Sequence, residues 1–257
     1  MPGVDNHWVQ QYTKFGSYEN EVARGNVRGA YPISSYGKLI SGSGVTKQLV
    51  RDIDGTVLNV PQSVQMSIVS TSANDTAVGT GCRSIIIEYL NGDLDLSYEL
   101  VTLNGLTPVT TIATDIRWVE SMYLATAGSG KVAAGNITVS NGGVSYGRIT
   151  AGQRQMHSSF YRVPRSKMLY ISSVYAGSAS GNADSSVIIE LATTQINGLD
   201  QQETGLFYTF AGIALQDSST TLSLNAPLPV GSGHIVGFVA TSDKGSTMTA
   251  GFTGWVE

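Results

Sequence analysis

The segment from Ile85 to Thr111, IIIEYLNGDLDLSYELVTLNGLTPVTT, limits the possible fold more tightly than any other part of the chain. It reads as two antiparallel runs around Asn91-Gly92, followed by a second Asn-Gly at Asn104-Gly105. Asn-Gly supplies the two positive-φ positions that a two-residue type I′ turn requires, so a tight hairpin is expected at Asn91-Gly92. In its second arm, Leu96, Tyr98, Leu100 and Thr102 fall on one face and Ser97, Glu99, Val101 and Leu103 on the other.

The same pattern runs through most of the chain. Short β runs start at Ser63 (SVQMSIVS), Asp115 (DIRWVESMYLAT), Gly135 (GNITVS), Lys167 (KMLYISSVYAG), Ser185 (SSVIIELATT) and Gly205 (GLFYTFAGIAL). Three more start at Ser219, His234 and Thr247. About twelve strands with Gly, Ser, Asn and Pro between them predict an all-β fold built from sandwich or jelly-roll units. The 257 residues, 41% of them hydrophobic, suit two such units of about 100 residues each. NGGVSYG (Asn141–Gly147) is the candidate boundary, giving units over 61–145 and 146–257. RSIIIEYL in the first half and SSVIIELATT in the second share a Ser, three β-branched residues, a Glu and a Leu. Each follows a polar loop holding Asn and Asp.

Residues 1–60 differ from the rest. Trp8, Tyr12, Phe15, Tyr18, Tyr31 and Tyr36 lie among Gly and Ser with no sustained period of 2 or 3.6, and Ser35–Gly44 is linker-like. Disordered segments are poor in aromatics. The expectation is an extended N-terminal arm whose rings dock on the chain's own body or on a neighbouring subunit. These six aromatics are the candidate partner-binding residues.

Charged residues make up only 13% of the chain, about half the usual ~25%. Such a surface loses little solvation when it packs against neighbours, which suits an assembly. The net charge of −4 argues against nucleic acid as a direct partner, because a binder needs a basic stripe to replace phosphate counterions. The first 51 residues are locally basic, but the charges are scattered. The single Cys82 offers no intrachain disulfide. No run approaches the ~18 apolar residues of a membrane-spanning helix, so no membrane partner is expected. The start, MPGVDNHWVQ, lacks a charged-then-apolar leader, and synthesis in a cytoplasm is expected.

Motifs for chemistry are thin. AGSGK (Ala127–Lys131) lacks the first glycine, the Ser/Thr after Lys and the helix of a phosphate loop, and reads as a hairpin loop. His7, His157 and His234 have no metal-ligand spacing and read as polar edge residues. DIDG (Asp52–Gly55) and DLD (Asp93–Asp95) start but do not continue a Ca²⁺ pattern, and read as turns. Arg83 beside Cys82 would lower a thiol pKa, but a small core or interface residue is the plainer reading. No G-x-S-x-G occurs and nothing marks a facing pair among the nineteen acids. No cofactor, metal or catalytic residue is assigned, and the chain is expected not to be an enzyme.

Ser72–Thr111 resembles virion structural proteins of tailed bacteriophages, marine and cyanobacterial ones above all. The resemblance lies in the TAVGTG turn (Thr76–Gly81) and in ELVTLNGLTPVTT (Glu99–Thr111), with Leu106 where the group usually has Thr. VPRSKMLYISSVYAG (Val163–Gly177) and the AGF-T-GW ending (Ala250–Trp255) resemble the same group. What the resemblance implies is a non-enzymatic particle component, most like a capsid decoration (cement) protein. Such a protein would sit on the outer capsid surface as a homotrimer and bridge copies of the major capsid protein. The alternative is a tail or fibre component that contacts the host, with the loops Thr71–Gly81 and Ser178–Asp184 as candidate contacts. A carbohydrate-active enzyme is a third class, without a motif to support it.

The expected core comprises Ile85, Ile87, Tyr89, Leu100, Trp118, Ile171, Val187, Ile189, Leu222, Leu224, Val236, Phe238, Phe252 and Trp255. Ile85-Ile86-Ile87 and Val187-Ile188-Ile189 are apolar on both faces, as strands are when covered on both sides or set at a subunit contact.

Overall fold

The computed structural model describes residues 18–180, 185–194 and 207–257. The described residues are all-β apart from one short helix, α1 (Tyr18–Ala23). The strands of the first half are β3 (Ser67–Ser70), β4 (Cys82–Leu90), β5 (Leu96–Thr102), β6 (Val109–Thr110), β7 (Trp118–Ala127), β8 (Ile137–Asn141) and β9 (Val144–Ile149). They make a three-stranded sheet, β5-β4-β7, and a four-stranded sheet, β6-β3-β8-β9. The two sheets enclose one core, into which period-2 alternation sends Ile85 and Ile87 from β4, Met122 from β7 and Ile137 and Val139 from β8.

The larger sheet is organised by β15 (Ile235–Val256), a 22-residue strand. One edge of β15 pairs with β10 (Tyr161–Arg162), β2 (Gly37–Leu49) and β1 (Tyr31–Ser34). Its other edge pairs with β12 (Val187–Thr194) over Val236–Ser242 and with β11 (Leu169–Ala179) over Thr247–Val256. β13 (Phe207–Leu215) and β14 (Ser219–Val230) extend the sheet from β12 and β11. Even-numbered β15 residues, Val236, Phe238, Ala240, Met248, Ala250 and Phe252, all enter one core. In the first part of the strand the odd side is buried as well. Ile235 and Val239 pack with Leu90, Trp118 and Phe160 in a second cluster that joins the two halves. A strand covered on both faces reads as a continuous apolar run, and IVGFVA does.

Several expectations change. His234–Ser242 and Thr247–Glu257 were expected as two strands, and they belong to one. The linker-like Ser35–Gly44 enters β2, and residues 31–49 pair along β15 in the chain's own body. Glycine explains both departures. A Cβ on Gly44 would lie 2.6 Å from the Asp243 carbonyl oxygen, and one on Gly245 the same distance from that of Gly42. The two backbones approach so closely only because those residues lack a side chain.

The Asn91-Gly92 turn also differs. β4 and β5 pair antiparallel as expected, but Leu90 stands opposite Leu96 and a five-residue loop joins them, where a two-residue turn would set Leu90 against Asp93. Its positive φ falls on Leu94, at 64°, and not on Asn91 or Gly92. Asn91 instead accepts the Asp93 and Asp95 backbone N–H groups on Oδ1, at 3.0 and 2.9 Å. Its amide side chain thus organises a wider turn. β5 further buries the opposite face to the one expected. Val101 and Leu103 enter the core, whereas Leu96, Tyr98 and Leu100 are exposed, Tyr98 by 79%. Leu222 is also exposed and Leu224 only partly buried. The other residues of the expected core are buried.

Candidate functional site

Between the halves lies a cleft of about 500 Å³. One wall is β1 with the residues that follow it, contributing Tyr31 and Tyr36. The opposite wall is the outer face of β4 and β7, with Glu88, Glu120, Ser121 and Tyr123. The segment from Gln155 to Tyr161, including Phe160 and Tyr161, and Leu96 of β5 complete the lining.

Local strand geometry explains how the acidic residues come together. On β4, Ile85, Ile87 and Tyr89 point into the core, so Glu88 faces outward into the cleft. On β7 the pairing with β4 slips by one residue: Glu88 is opposite Ser121, but Tyr89 is opposite Val119. Glu120 is the unpaired residue of this β-bulge. A bulge re-aims side chains, and here it lets Glu120 and Ser121 line the cleft together.

The Glu88 carboxylate accepts the Ser121 hydroxyl at 2.7 Å and the Tyr123 hydroxyl at 3.4 Å. Glu120 Oε2 accepts the Arg162 backbone N–H at 3.3 Å. Burial pushes the Glu120 carboxyl well above the usual carboxylate range, partly opposed by that N–H, and the Glu88 charge adds to the rise. The hydroxyls of Tyr31 and Tyr161 lie 3.4 Å apart. Burial raises both of their pKa values, and the Glu120 and Glu88 charges push in the same direction. Behind the cleft, the fully buried Arg162 donates from Nε to the Gly233 carbonyl and from Nη1 to the Arg117 carbonyl. It thereby ties β15's leading turn to the strand entering β7.

Of the six candidate aromatics, Trp8, Tyr12 and Phe15 lie outside the described residues. Tyr31 and Tyr36 meet in the cleft, and the Tyr36 ring stands edge-on to His157 at 5.2 Å. Tyr18 lies elsewhere. It packs on Trp255, 5.6 Å between ring centres, donates to the Glu257 carboxylate, and so joins the Tyr170–Trp255 stack. Sequence reasoning missed Glu88, Glu120, Tyr123 and Tyr161. One signal was available for Glu88, an acid interrupting an apolar run at an outward position. Nothing in the sequence marks the bulge that turns Glu120.

The other motifs resolve as structure. Gly128–Lys131 forms a turn closed by Lys131 N–H on the Gly128 carbonyl, and strand β8 follows it. Asp52 Oδ2 accepts the His157 backbone N–H at 2.8 Å, and His234 Nδ1 lies 3.1 Å from the Thr194 carbonyl oxygen. His7 and residues 181–184 of the second candidate host-contact loop lie outside the described residues. Cys82 is fully buried, and burial, with the Asp75 charge, pushes its thiol up to about 12. The Arg83 Nε donates to the Gly79 carbonyl at 3.0 Å, and the thiol is raised rather than lowered.

No family model matches the sequence, and no curated protein does. Among solved structures, similarity is found to VP2 of infectious bursal disease virus in a subviral particle. The identity is 8%, over 88% of this chain and 75% of that one, with a TM-score of 0.16. Particles derived from the same virus give 10% identity, 88% and 69% coverage and a TM-score of 0.15. The Gx strain of the virus gives 11%, 88% and 71%, also at 0.15. Scores of this size establish no shared fold.

Proposed function

We propose that this chain is a non-enzymatic structural component of a virus particle, and that it works as a capsid decoration protein on the outer shell. The observation that carries the reading is where the exposed apolar surface lies. Leu100 and Leu106 are each 61% exposed and Ile112 86%. All three lie in or next to Glu99–Thr111, the segment that resembles phage virion proteins. Leu96, Tyr98 and Leu100 form a stripe on the edge strand β5, and Leu106 and Ile112 are exposed on the segment that follows it, apolar surface suited to burial against a neighbour. In this reading the partner on that edge is the major capsid protein.

Self-association as a trimer belongs to the same proposal. A second, apolar cavity of about 410 Å³ opens between β13 and β14 and is lined by Ile189, Leu191, Ile213 and Phe238 among others. β13 and β14 end the strand order of the large sheet. Edge strands flanking apolar surface are ready to pair with a second copy.

The test is reconstitution on expanded capsids that lack this chain, followed by cryo-electron microscopy. Wild-type protein is expected as knobs on the shell, and Leu100→Lys is expected to fold normally but not to attach. Equal decoration by the variant, or density confined to the tail, would sink the proposal. The tail outcome would move the reading to host contact.

A further inference from the structure

We propose that the cleft between β1 and the outer face of β4 and β7 binds an organic ammonium group, with Glu88 as the charge partner and Tyr31, Tyr36 and Tyr123 as aromatic walls. This does not rest on the decoration role, although Leu96 of the exposed stripe also lines the cleft. One can fail without the other.

Three observations converge. First, two carboxylates line the cavity, and no Lys, Arg or His is among its described lining residues. Glu88 supplies negative charge at the cleft surface, and the Arg162 cation lies behind the wall rather than in it, on the Gly233 and Arg117 carbonyls. Second, tyrosine is the dominant aromatic of the lining. A ring face attracts a cation within about 6 Å of its centroid, and more strongly where water is excluded. Third, the volume of about 500 Å³ lies within the ~300–1,000 Å³ of small-molecule sites.

The same features select among cations. A hard metal ion such as Ca²⁺ takes about six to eight oxygen ligands. Here the described lining offers two carboxylates, with burial raising the pKa of Glu120, and rings and apolar side chains make up much of the rest. An alkylammonium needs only one charge partner and gains from the rings. A neutral ligand such as a sugar would leave the Glu88 charge uncompensated when the cleft is filled. The ammonium source is either a free small molecule or a lysine side chain presented by a neighbouring polypeptide.

The experiment is calorimetric titration of the full chain with choline and with 3,3-dimethylbutan-1-ol, which replaces the quaternary nitrogen by carbon. A third arm uses Nα-acetyl-lysine N-methylamide. Choline or the lysine amide is expected to bind at least about tenfold more tightly than the neutral alcohol, and Glu88→Gln is expected to remove that preference. The comparison with the alcohol needs no variant, and the melting curve of Glu88→Gln shows that it is folded. If the lysine amide is the tighter of the two cations, the source is a polypeptide; if choline is, the source is a small molecule. Equal binding of alcohol and cations, or no heat from either cation at about 10 mM, overturns the proposal.

Discussion

At the scale of single residues, Asp75 shows how one buried side chain fixes a loop. It is fully buried and accepts four hydrogen bonds. Oδ1 takes the backbone N–H groups of Cys82 (2.6 Å) and Ala134 (2.9 Å), and Oδ2 takes that of Gly135 (2.9 Å) and the Ser70 hydroxyl (2.6 Å). A Cβ on Gly81 would lie 2.2 Å from Oδ1, so glycine is needed there for the approach. Asp75→Ala strands the buried N–H groups of Cys82 and Gly135 and the part-buried one of Ala134, and is expected to cost about 3 kcal/mol, read from urea denaturation. A loss well under 1 kcal/mol would mean water replaces the carboxylate. Glu120 makes the opposite case. Its folded pKa lies above the unfolded value, so the folded state holds the proton more tightly. Its contribution is fully present below about pH 4.5 and is lost as pH rises through the folded pKa. Glu88, Arg162, Tyr31 and Tyr161 act on the group as well. Glu120→Gln should therefore match wild type at about pH 4 and melt higher than wild type at pH 8. Parallel melting curves across that range would place the ionised carboxylate in the folded protein.

At the scale of elements, β15 depends on residues that a propensity scale would mark against it. Gly237 is the third residue of the strand, inside its pairing with β12, where glycine is ordinarily a weakness. A Cβ there would fall 2.3 Å from a ring carbon of the buried Phe160. Gly237→Ala is expected to cost about 1–3 kcal/mol by overpacking. The double variant with Phe160→Leu should recover part of that loss, and additive losses would show that the ring is not the obstacle. β4 is the clearest case of an element legible from sequence. RSIIIEYL gave its limits, its inward Ile85 and Ile87, and its pairing with β5. β5 was not legible in the same way. It carries apolar residues on both faces, and only its register with β4 decides that Val101 faces the core and Leu100 does not.

At the scale of the whole molecule, the halves are joined by the cluster of Leu90, Trp118, Phe160, Ile235 and Val239, and by Arg162 beside it. Arg162→Met keeps the volume but removes the donors to Gly233 and Arg117, whose carbonyls it serves from 3.3 and 3.2 Å. The expected loss is about 2–4 kcal/mol. Calorimetry should also show the single transition broadening or splitting as the halves uncouple. An unchanged, single transition would put the coupling in the apolar cluster alone.

The sequence by itself determined the class of fold, because period-2 alternation between turn residues is a local property of each strand and needs no partner to be read. For the same reason it determined most of the core. Only the tertiary structure decided that residues 31–49 pair along β15, that His234–Ser242 and Thr247–Glu257 are one strand, and which face of β5 is buried. It also decided the cleft itself, where Glu88, Glu120, Tyr31 and Tyr161 converge from β4, β7, β1 and β10. These are matters of register, of backbones brought close by absent side chains, and of one unpaired residue in a bulge. Each depends on residues tens to hundreds of positions away, and no local pattern records them.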